Sequence, residues 1–149
     1  MKYLLDSNIF IAYCRQRATA EVLDRVYNLD STQNKLYYST VTLGELDSFI
    51  KRNDLGKRKQ LLINQLLQES YQIDINITEI INKYGDIENF SQTKLKLPGH
   101  DFTARNMGKN DLWIAATASH FGLTLLTTDR DFDHLDGAYL ELAYINPTQ

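Results

Sequence analysis

The sequence predicts an α/β domain of three layers, with a central, mostly parallel five-stranded sheet flanked by helices. Short apolar or alternating segments typical of strands are interleaved with segments whose apolar residues recur at helical spacing. Strands that alternate with helices pair in parallel and are covered on both faces. A length of 149 residues favours one domain over residues 1–149, and such a chain buries roughly 68–70% of its unfolded surface without a disulfide.

The first half of the chain predicts two strands and their helices. Residues 3–5 form a continuous apolar run typical of a buried strand, and residues 8–13 begin a helix. A helical pattern covers residues 22–27, and residues 36–40 are rich in β-prone side chains. Leu43, Leu46 and Ile50 mark one face of the next helix, and residues 61–67 mark another after a break at Gly56.

The second half predicts three more strands around a long irregular segment. Residues 71–75 alternate and predict a half-buried strand, followed by a helical stripe over residues 77–84. The pattern is lost from residue 91 to residue 109, and irregular segments of this length are often functional. Helical spacing returns over residues 111–120, and residues 123–127 and 139–144 complete the strands.

Composition gives few signs of a partner. The formal charge of −3 provides no overall basic surface, so contact with a polyanion would depend on local basic clusters. The single cysteine, Cys14, lies in an apolar stretch and is expected to be a small buried residue. No signal peptide or membrane-length apolar run is present in the sequence, and we expect a cytoplasmic protein.

Four acidic residues fall where strands end or helices begin. Asp6 ends the first strand, Glu45 follows the second, Asp111 opens the helix before the fourth, and Asp129 ends the fourth. Ligands of parallel α/β sheets bind at the carboxyl ends of the strands. Carboxylate oxygens select Mg²⁺ or Mn²⁺. Zinc is not expected, because no histidine or cysteine lies beside the acids in the sequence. A carboxylate cage with such an ion is typical of phosphoryl or phosphodiester chemistry.

Each acid taken alone also has an ordinary structural explanation. Four such explanations at one sheet edge are less economical than one shared site. They are a helix N-cap for Asp6, a capping box with Thr42 for Glu45, a favourable helix-dipole position beside Asn110 for Asp111, and a turn with an ion pair for Asp129.

Four segments, residues 4–10, 42–46, 110–118 and 126–132, resemble in order and spacing the four motifs of PIN-domain ribonucleases. The likeness is closest to the VapC toxins of bacterial type II toxin–antitoxin pairs. It implies Mg²⁺- or Mn²⁺-dependent endonucleolytic cleavage of RNA, a homodimer and a cognate antitoxin. A haloacid-dehalogenase phosphatase also begins with an aspartate after its first strand, but it needs a second one where this chain has Asn8.

The resemblance also assigns roles by position. Asp6, Asp111 and Asp129 would hold the metal ion, and Glu45 would complete the cage, through a water. The hydroxyl of Thr127 would orient the attacking water. Asn8 would line the opening of the same site. Asp129 is preferred to Asp131 and Asp133 as the metal ligand, and Asp131 would cap the following turn. Hydrolysis would leave a 5′-phosphate and a 3′-hydroxyl, with Glu45 or Asp129 accepting the proton.

Two basic clusters lead to or from a proposed active-site acid and are candidate RNA contacts. In the irregular segment, Phe102 is a candidate base-stacking residue, and His134 is expected to be an ordinary surface or helix-end residue. The clusters are Lys51, Arg52, Lys57, Arg58 and Lys59, and Lys94, Lys96, His100, Arg105 and Lys109.

Two other functions remain open from the sequence. One is a metal-dependent nuclease or phosphatase that acts on DNA or small phosphoesters. The other is a non-catalytic PIN-like binding module, although acids at all four motif positions favour an enzyme.

Overall fold

A five-stranded sheet forms the centre of the computed structural model, which describes residues 1–28 and 33–146. Residues 29–32 and 147–149 of the predicted single domain lie outside the described residues. The strand order is β3-β2-β1-β4-β5, and every pairing is parallel, which confirms the predicted sheet. The strands are β1 Lys2–Leu5, β2 Lys35–Ser39, β3 Tyr71–Ile73, β4 Thr124–Thr127 and β5 Glu141–Tyr144.

Helices cover both faces of this sheet. They are α1 Ser7–Arg15, α2 Arg17–Tyr27, α3 Thr40–Arg52, α4 Lys57–Gln68, α5 Thr78–Ser91 and α6 Lys109–Phe121, with a 3₁₀ helix at Arg130–Leu135. None of the helices within residues 1–28 and 33–146 has the length and apolar character needed to cross a membrane.

Alternation along the strands divides the core into two apolar clusters. Tyr3 and Leu5 point into a cluster with α1, α2, α3 and α4. Leu4 and Leu125 point to the other face, into a cluster with α5, α6 and the 3₁₀ helix. Side chains of successive strand residues lie on opposite faces, so the buried runs of β1 and β4 produce the three layers. Cys14 is buried, as predicted.

Two strand predictions were wrong in detail. Residue 40 belongs to α3 rather than to β2, because Ser39 ends the strand and its hydroxyl accepts the Val41 N–H at 3.1 Å as a helix cap. The third strand stops at Ile73. It is an edge strand, and its Tyr71 is 62% exposed rather than half-buried.

The segment between α5 and α6 has no helix or strand among its described residues, as predicted. It is nevertheless anchored to the core. Phe102 packs on Phe90 and on the His134 ring, with centroids 4.9 and 5.0 Å away. His134 is buried, and its Nε2 lies 2.7 Å from the Ser91 hydroxyl. His134 is therefore a helix-end residue, in the last turn of the 3₁₀ helix, but it is buried rather than at the surface. Phe102 is partly buried by these contacts, and its role in base stacking stays a prediction.

Candidate active site

The predicted acids meet at the point of the sheet where the strand order reverses. Strands β1 and β4 are neighbours at the centre, and the chain continues from them towards opposite edges. A crevice forms at such a switch point, outside the carboxyl ends of the strands. Asp6 follows β1 directly, and Asp129 comes two residues after β4 ends at Thr127.

Asp6 is the most deeply placed acid, only 2% exposed. Its Oδ1 accepts the Ser7 N–H at 2.8 Å, so it caps α1, while its Oδ2 accepts the Thr127 hydroxyl at 2.7 Å. The pKa of Asp6 is raised to about 7, chiefly by burial and also by the charges of Asp111 and Glu45, while the two hydrogen bonds oppose the shift. The helix-cap explanation is thus correct for Oδ1, whereas Oδ2 is bound by Thr127 and takes no part in the cap.

The buried hydroxyl of Thr127 connects two of the acids. It donates to Asp6 Oδ2 and accepts the N–H of Asp129 at 3.0 Å. A hydroxyl has one proton, and here that proton goes to Asp6. Thr127 therefore holds Asp6 and the start of the Asp129 turn together, and in this arrangement it has no proton to offer an attacking water.

Glu45 reaches the same crevice from α3. Its Oε1 accepts the Ser7 hydroxyl at 2.7 Å. The helix begins at Thr40 with Ser39 as its cap, so Thr42 and Glu45 are interior residues and the capping-box explanation is wrong. Sequence reasoning missed Ser7, which bonds Asp6 through its backbone and Glu45 through its side chain; its position directly after Asp6 was the available signal.

Asp111 lies in the first turn of α6, which Gly108 precedes as the cap. Asn110 is therefore inside the helix and is not its cap. Burial and, after it, the charges of Asp129, Glu45 and Asp131 together raise the pKa of Asp111 to about 6. The four predicted acids therefore interact: Asp6 with Asp111 and Glu45, and Asp111 with Asp129 and Glu45.

Asp131 joins this group, which the sequence did not predict. Asp111, Asp129 and Asp131 each offer a carboxylate oxygen within 4.8 Å of the others, as metal ligands would. The predicted capping is also reversed, because Asp129 Oδ1 accepts the N–H of Asp131 at 2.9 Å and begins the 3₁₀ helix. That short helix turns Asp131 back towards Asp111.

The donor set fits a divalent cation. Carboxylate oxygens are the ligands that Mg²⁺ and Mn²⁺ prefer. Within residues 1–28 and 33–146, the salt bridges involve other acids: Glu21, Asp47 and Asp133. Without a cation, burial and mutual repulsion push protons onto Asp6 and Asp111, and a bound ion would relieve both effects.

Asn8 lines a pocket of about 380 Å³ beside the acids, together with Glu45, Asn110 and Arg52. Arg52 is thus the member of the first basic cluster placed at this mouth. Lys51 pairs at the surface with Asp47 at 2.7 Å.

The remaining predicted basic residues are spread over different surfaces. Arg58 and Lys59 line a separate cleft with Tyr13 and Cys14. In the second cluster, Arg105 lines a pocket that includes Asp131. Other members are exposed or lie elsewhere: Lys57, Lys94 and Lys109 are exposed, and Lys96 and His100 line a smaller cavity with Phe102.

Fold and site together define a class of protein, an α/β nuclease-type domain that gathers carboxylates at one end of a parallel sheet. Residues 3–138 match the family model for the PIN domain. The chain therefore belongs to the PIN-domain family, and the assignment made from its four motifs is confirmed.

Solved structures with the same fold cover almost the whole chain. VapBC-1 from nontypeable Haemophilus influenzae has 24% identity and a TM-score of 0.73, covering 100% of both chains. VapBC2 from Rickettsia felis, bound to a DNA fragment from its promoter, has 21% identity and a TM-score of 0.73, covering 97% of this chain and 98% of that one. FitAcB from Neisseria gonorrhoeae has 22% identity and a TM-score of 0.67, with 99% of each chain covered. No curated protein matches the sequence.

Proposed function

We propose that this protein is a metal-dependent endoribonuclease that cleaves RNA phosphodiester bonds as the toxin of a toxin–antitoxin pair. The observation that carries the proposal is the convergence of Asp6, Glu45, Asp111 and Asp129 at the switch point of a PIN-family sheet. Mutually repelling carboxylates in a crevice have a clear purpose when a divalent cation and a polyanionic substrate share them.

Asp6, Asp111 and Asp129 are the proposed ligands of Mg²⁺ or Mn²⁺, directly or through water. Asp131 is added as a further ligand, because its carboxylate lies with those of Asp111 and Asp129. The ion would lower the pKa of a bound water and neutralise charge on the phosphate.

The chain itself supplies position and a proton acceptor. Thr127 and Ser7 fix the two oxygens of Asp6, and Ser7 also fixes Glu45. Glu45 is half-buried beside the pocket and is the proposed acceptor of the proton from water, with Asp129 as the alternative. In-line attack would leave a 5′-phosphate and a 3′-hydroxyl.

The proposed partners are substrate RNA, a cognate antitoxin and a second copy of the chain, in the cytoplasm, where the RNA is found. The antitoxin is supported by the solved relatives, among them a VapBC toxin–antitoxin complex from Mycobacterium tuberculosis. The basic residues Arg52 and Arg105, which line pockets beside the acids, support the RNA substrate.

Purified protein with Mn²⁺ should be assayed on RNA, on single-stranded DNA and on a generic phosphomonoester. We expect RNA cleavage that chelation abolishes and that Asp111→Asn lowers by at least about 100-fold, since it removes a ligand carboxylate. Asp86→Asn is the matched control, because Asp86 is an exposed acid of α5. Cleavage of only DNA or the phosphomonoester would replace RNA as the substrate, and inactivity on all three would favour a binding module.

Expression in cells tests the toxin role. Wild-type protein should arrest growth and produce discrete new RNA 5′ ends, whereas Asp6→Ala should do neither at equal protein level. Co-expression of the short reading frame next to the gene should restore growth. Growth unaffected by active, well-expressed enzyme would point to a housekeeping ribonuclease.

A further inference from the structure

A second pocket opens directly beside the acidic crevice and contains two arginines. Its volume is about 500 Å³. Asp131 belongs both to this pocket and to the carboxylate group with Asp111 and Asp129. The lining residues are Arg105, Asn106, Met107, Arg130, Asp131 and Asp133.

The two arginines are held in place against each other. The side-chain Nη1 of Arg105 donates to the backbone carbonyl of Arg130 at 3.1 Å. The backbone N–H of Arg105 donates to the backbone carbonyl of Ser91 at 2.7 Å. The Arg130 guanidinium lies 3.5 Å from the ring centroid of Tyr144. A guanidinium held in this way loses little entropy when it binds an anion.

Both side chains keep donors for a ligand. A guanidinium has five N–H groups, and the hydrogen bond of Arg105 uses one of its nitrogens. Arg130 is 66% exposed, and its contact with Asp133 is long, at 3.6 Å. Such a surface pair is weak and is easily exchanged for a phosphate.

We propose that Arg105 and Arg130 form the subsite for the RNA phosphate next to the scissile one. This inference rests on the proposed function. A nucleic acid strand presents a regular row of negative charges. If the carboxylates held a cation for the scissile phosphate, the neighbouring phosphate would reach the arginines, because Asp131 belongs both to the carboxylate group and to the arginine pocket. The bidentate geometry of guanidinium suits a phosphate, and the subsite fixes the register of the strand at the crevice.

The test is a double-mutant cycle between an arginine and one phosphate. The substrate is a short single-stranded RNA, made normally or with an uncharged methylphosphonate at the linkage on either side of the scissile bond. Arg130→Gln should raise KM about tenfold on normal RNA. When the methylphosphonate replaces the phosphate that the arginines bind, the KM of wild type should also rise about tenfold. The KM of Arg130→Gln should then be little higher than it is on normal RNA.

Controls separate charge, fold and register. Arg130→Lys keeps the charge without the planar fork and should fall between wild type and Arg130→Gln. Arg25→Gln, an exposed arginine on α2, should leave KM unchanged. Thermal melts of all variants should agree within a few degrees, since the substituted side chain is largely exposed.

Each other result overturns the subsite. If the methylphosphonate raised KM by the same factor for wild type and for Arg130→Gln, on both sides of the scissile bond, the arginine and the phosphate would not be coupled. Unchanged RNA cleavage with weaker binding of poly-glutamate would assign the arginines to an acidic protein surface. If wild type cleaves no RNA, the proposed function fails by itself, and the same cycle run on RNA binding by fluorescence anisotropy judges the subsite separately.

Discussion

The carboxyl group of Asp6 is almost fully buried, caps α1 and accepts the Thr127 hydroxyl, and its pKa is raised to about 7. Near neutral pH, a metal-free molecule therefore holds a mixture of charged and neutral Asp6. A divalent cation favours the charged form, so metal binding should release protons. The charged form of Asp6 therefore lowers the stability of the metal-free fold, whereas metal binding, and with it the proposed activity, needs that charged form.

Asp6→Asn should stabilise the metal-free protein above pH 7. The folded pKa of Asp6 lies above its unfolded value, so the folded state holds the proton more tightly, and wild-type stability falls as pH rises from about 4 to 7. The neutral amide removes this dependence and should add about 1–3 kcal/mol at pH 8. Urea unfolding at pH 5 and pH 8 in chelator measures it; equal pH slopes for variant and wild type would contradict the assignment.

Thr127→Val removes the hydroxyl that links Asp6 to the Asp129 backbone, with little change of shape. We expect a loss of about 1–3 kcal/mol in the free energy of unfolding, since buried groups lose a partner. Cleavage should fall by about tenfold or more as Asp6 loses its orientation. Thr127→Ser, which keeps the hydroxyl, should restore most of both; a serine variant as impaired as the valine one would exclude the hydroxyl as the cause.

At the scale of elements, the 3₁₀ helix links the acids to the irregular segment. It begins at Asp129, carries Asp131, and contains the buried His134, whose Nε2 lies 2.7 Å from the Ser91 hydroxyl. Its Nδ1 is buried without a hydrogen-bond partner among the described residues. The position of the segment between α5 and α6 is therefore coupled to the Asp131 side of the crevice.

His134→Phe should change the acid sensitivity of the fold. Burial, with the Arg105 charge, lowers the pKa of His134 to about 4. The folded state thus binds this proton less well than the unfolded chain, and stability from this group is lost as pH falls from about 6.5 to 4. In urea unfolding, the variant should cost about 1 kcal/mol at pH 7 and lose less than wild type by pH 5; an Asp6→Asn background removes the opposing contribution of Asp6.

The sequence predicted elements well where burial sets the pattern. The apolar run of β1 and the helical stripe of Ile77, Ile80 and Tyr84 follow from which side chains face the core, whereas Ile81 of the same predicted stripe is 48% exposed. The 3₁₀ helix was missed, because six residues with short-range bonds leave too brief a pattern to read. The exposed edge strand β3 was predicted at the correct start but two residues too long, and its burial was misjudged, since nothing in its sequence tells an edge strand from a central one.

At the scale of the molecule, topology predicted that the acids would meet. In a parallel sheet, the carboxyl ends of all strands lie on the same side. Asp6 and Asp129 therefore had to lie near each other once β1 and β4 were neighbours. Asp131 was rejected on local grounds, because its approach to Asp111 depends on the unpredicted 3₁₀ turn. The position of Ser7 directly after Asp6 could have indicated its bond to that residue, but its bond to Glu45 depends on the distance between α1 and α3, which no local pattern encodes.

Metal binding should stabilise the whole domain, because the unfolded chain has no site. At a concentration of Mn²⁺ one hundred times its Kd, the gain is about 2.7 kcal/mol. Thermal melts with and without Mn²⁺ should show this shift for wild type and not for Asp111→Asn. A shift of equal size in the variant would place the bound ion elsewhere on the surface.

The position of the ion can be measured directly, by the anomalous scattering of Mn²⁺ in crystals of the wild-type protein. We predict one strong peak in the crevice at the carboxyl ends of β1 and β4, within ligand distance of Asp111 and Asp129 and near Asp6. A crevice without a peak at saturating Mn²⁺, with the four carboxylates turned apart, would contradict the shared metal site on which the proposed nuclease depends.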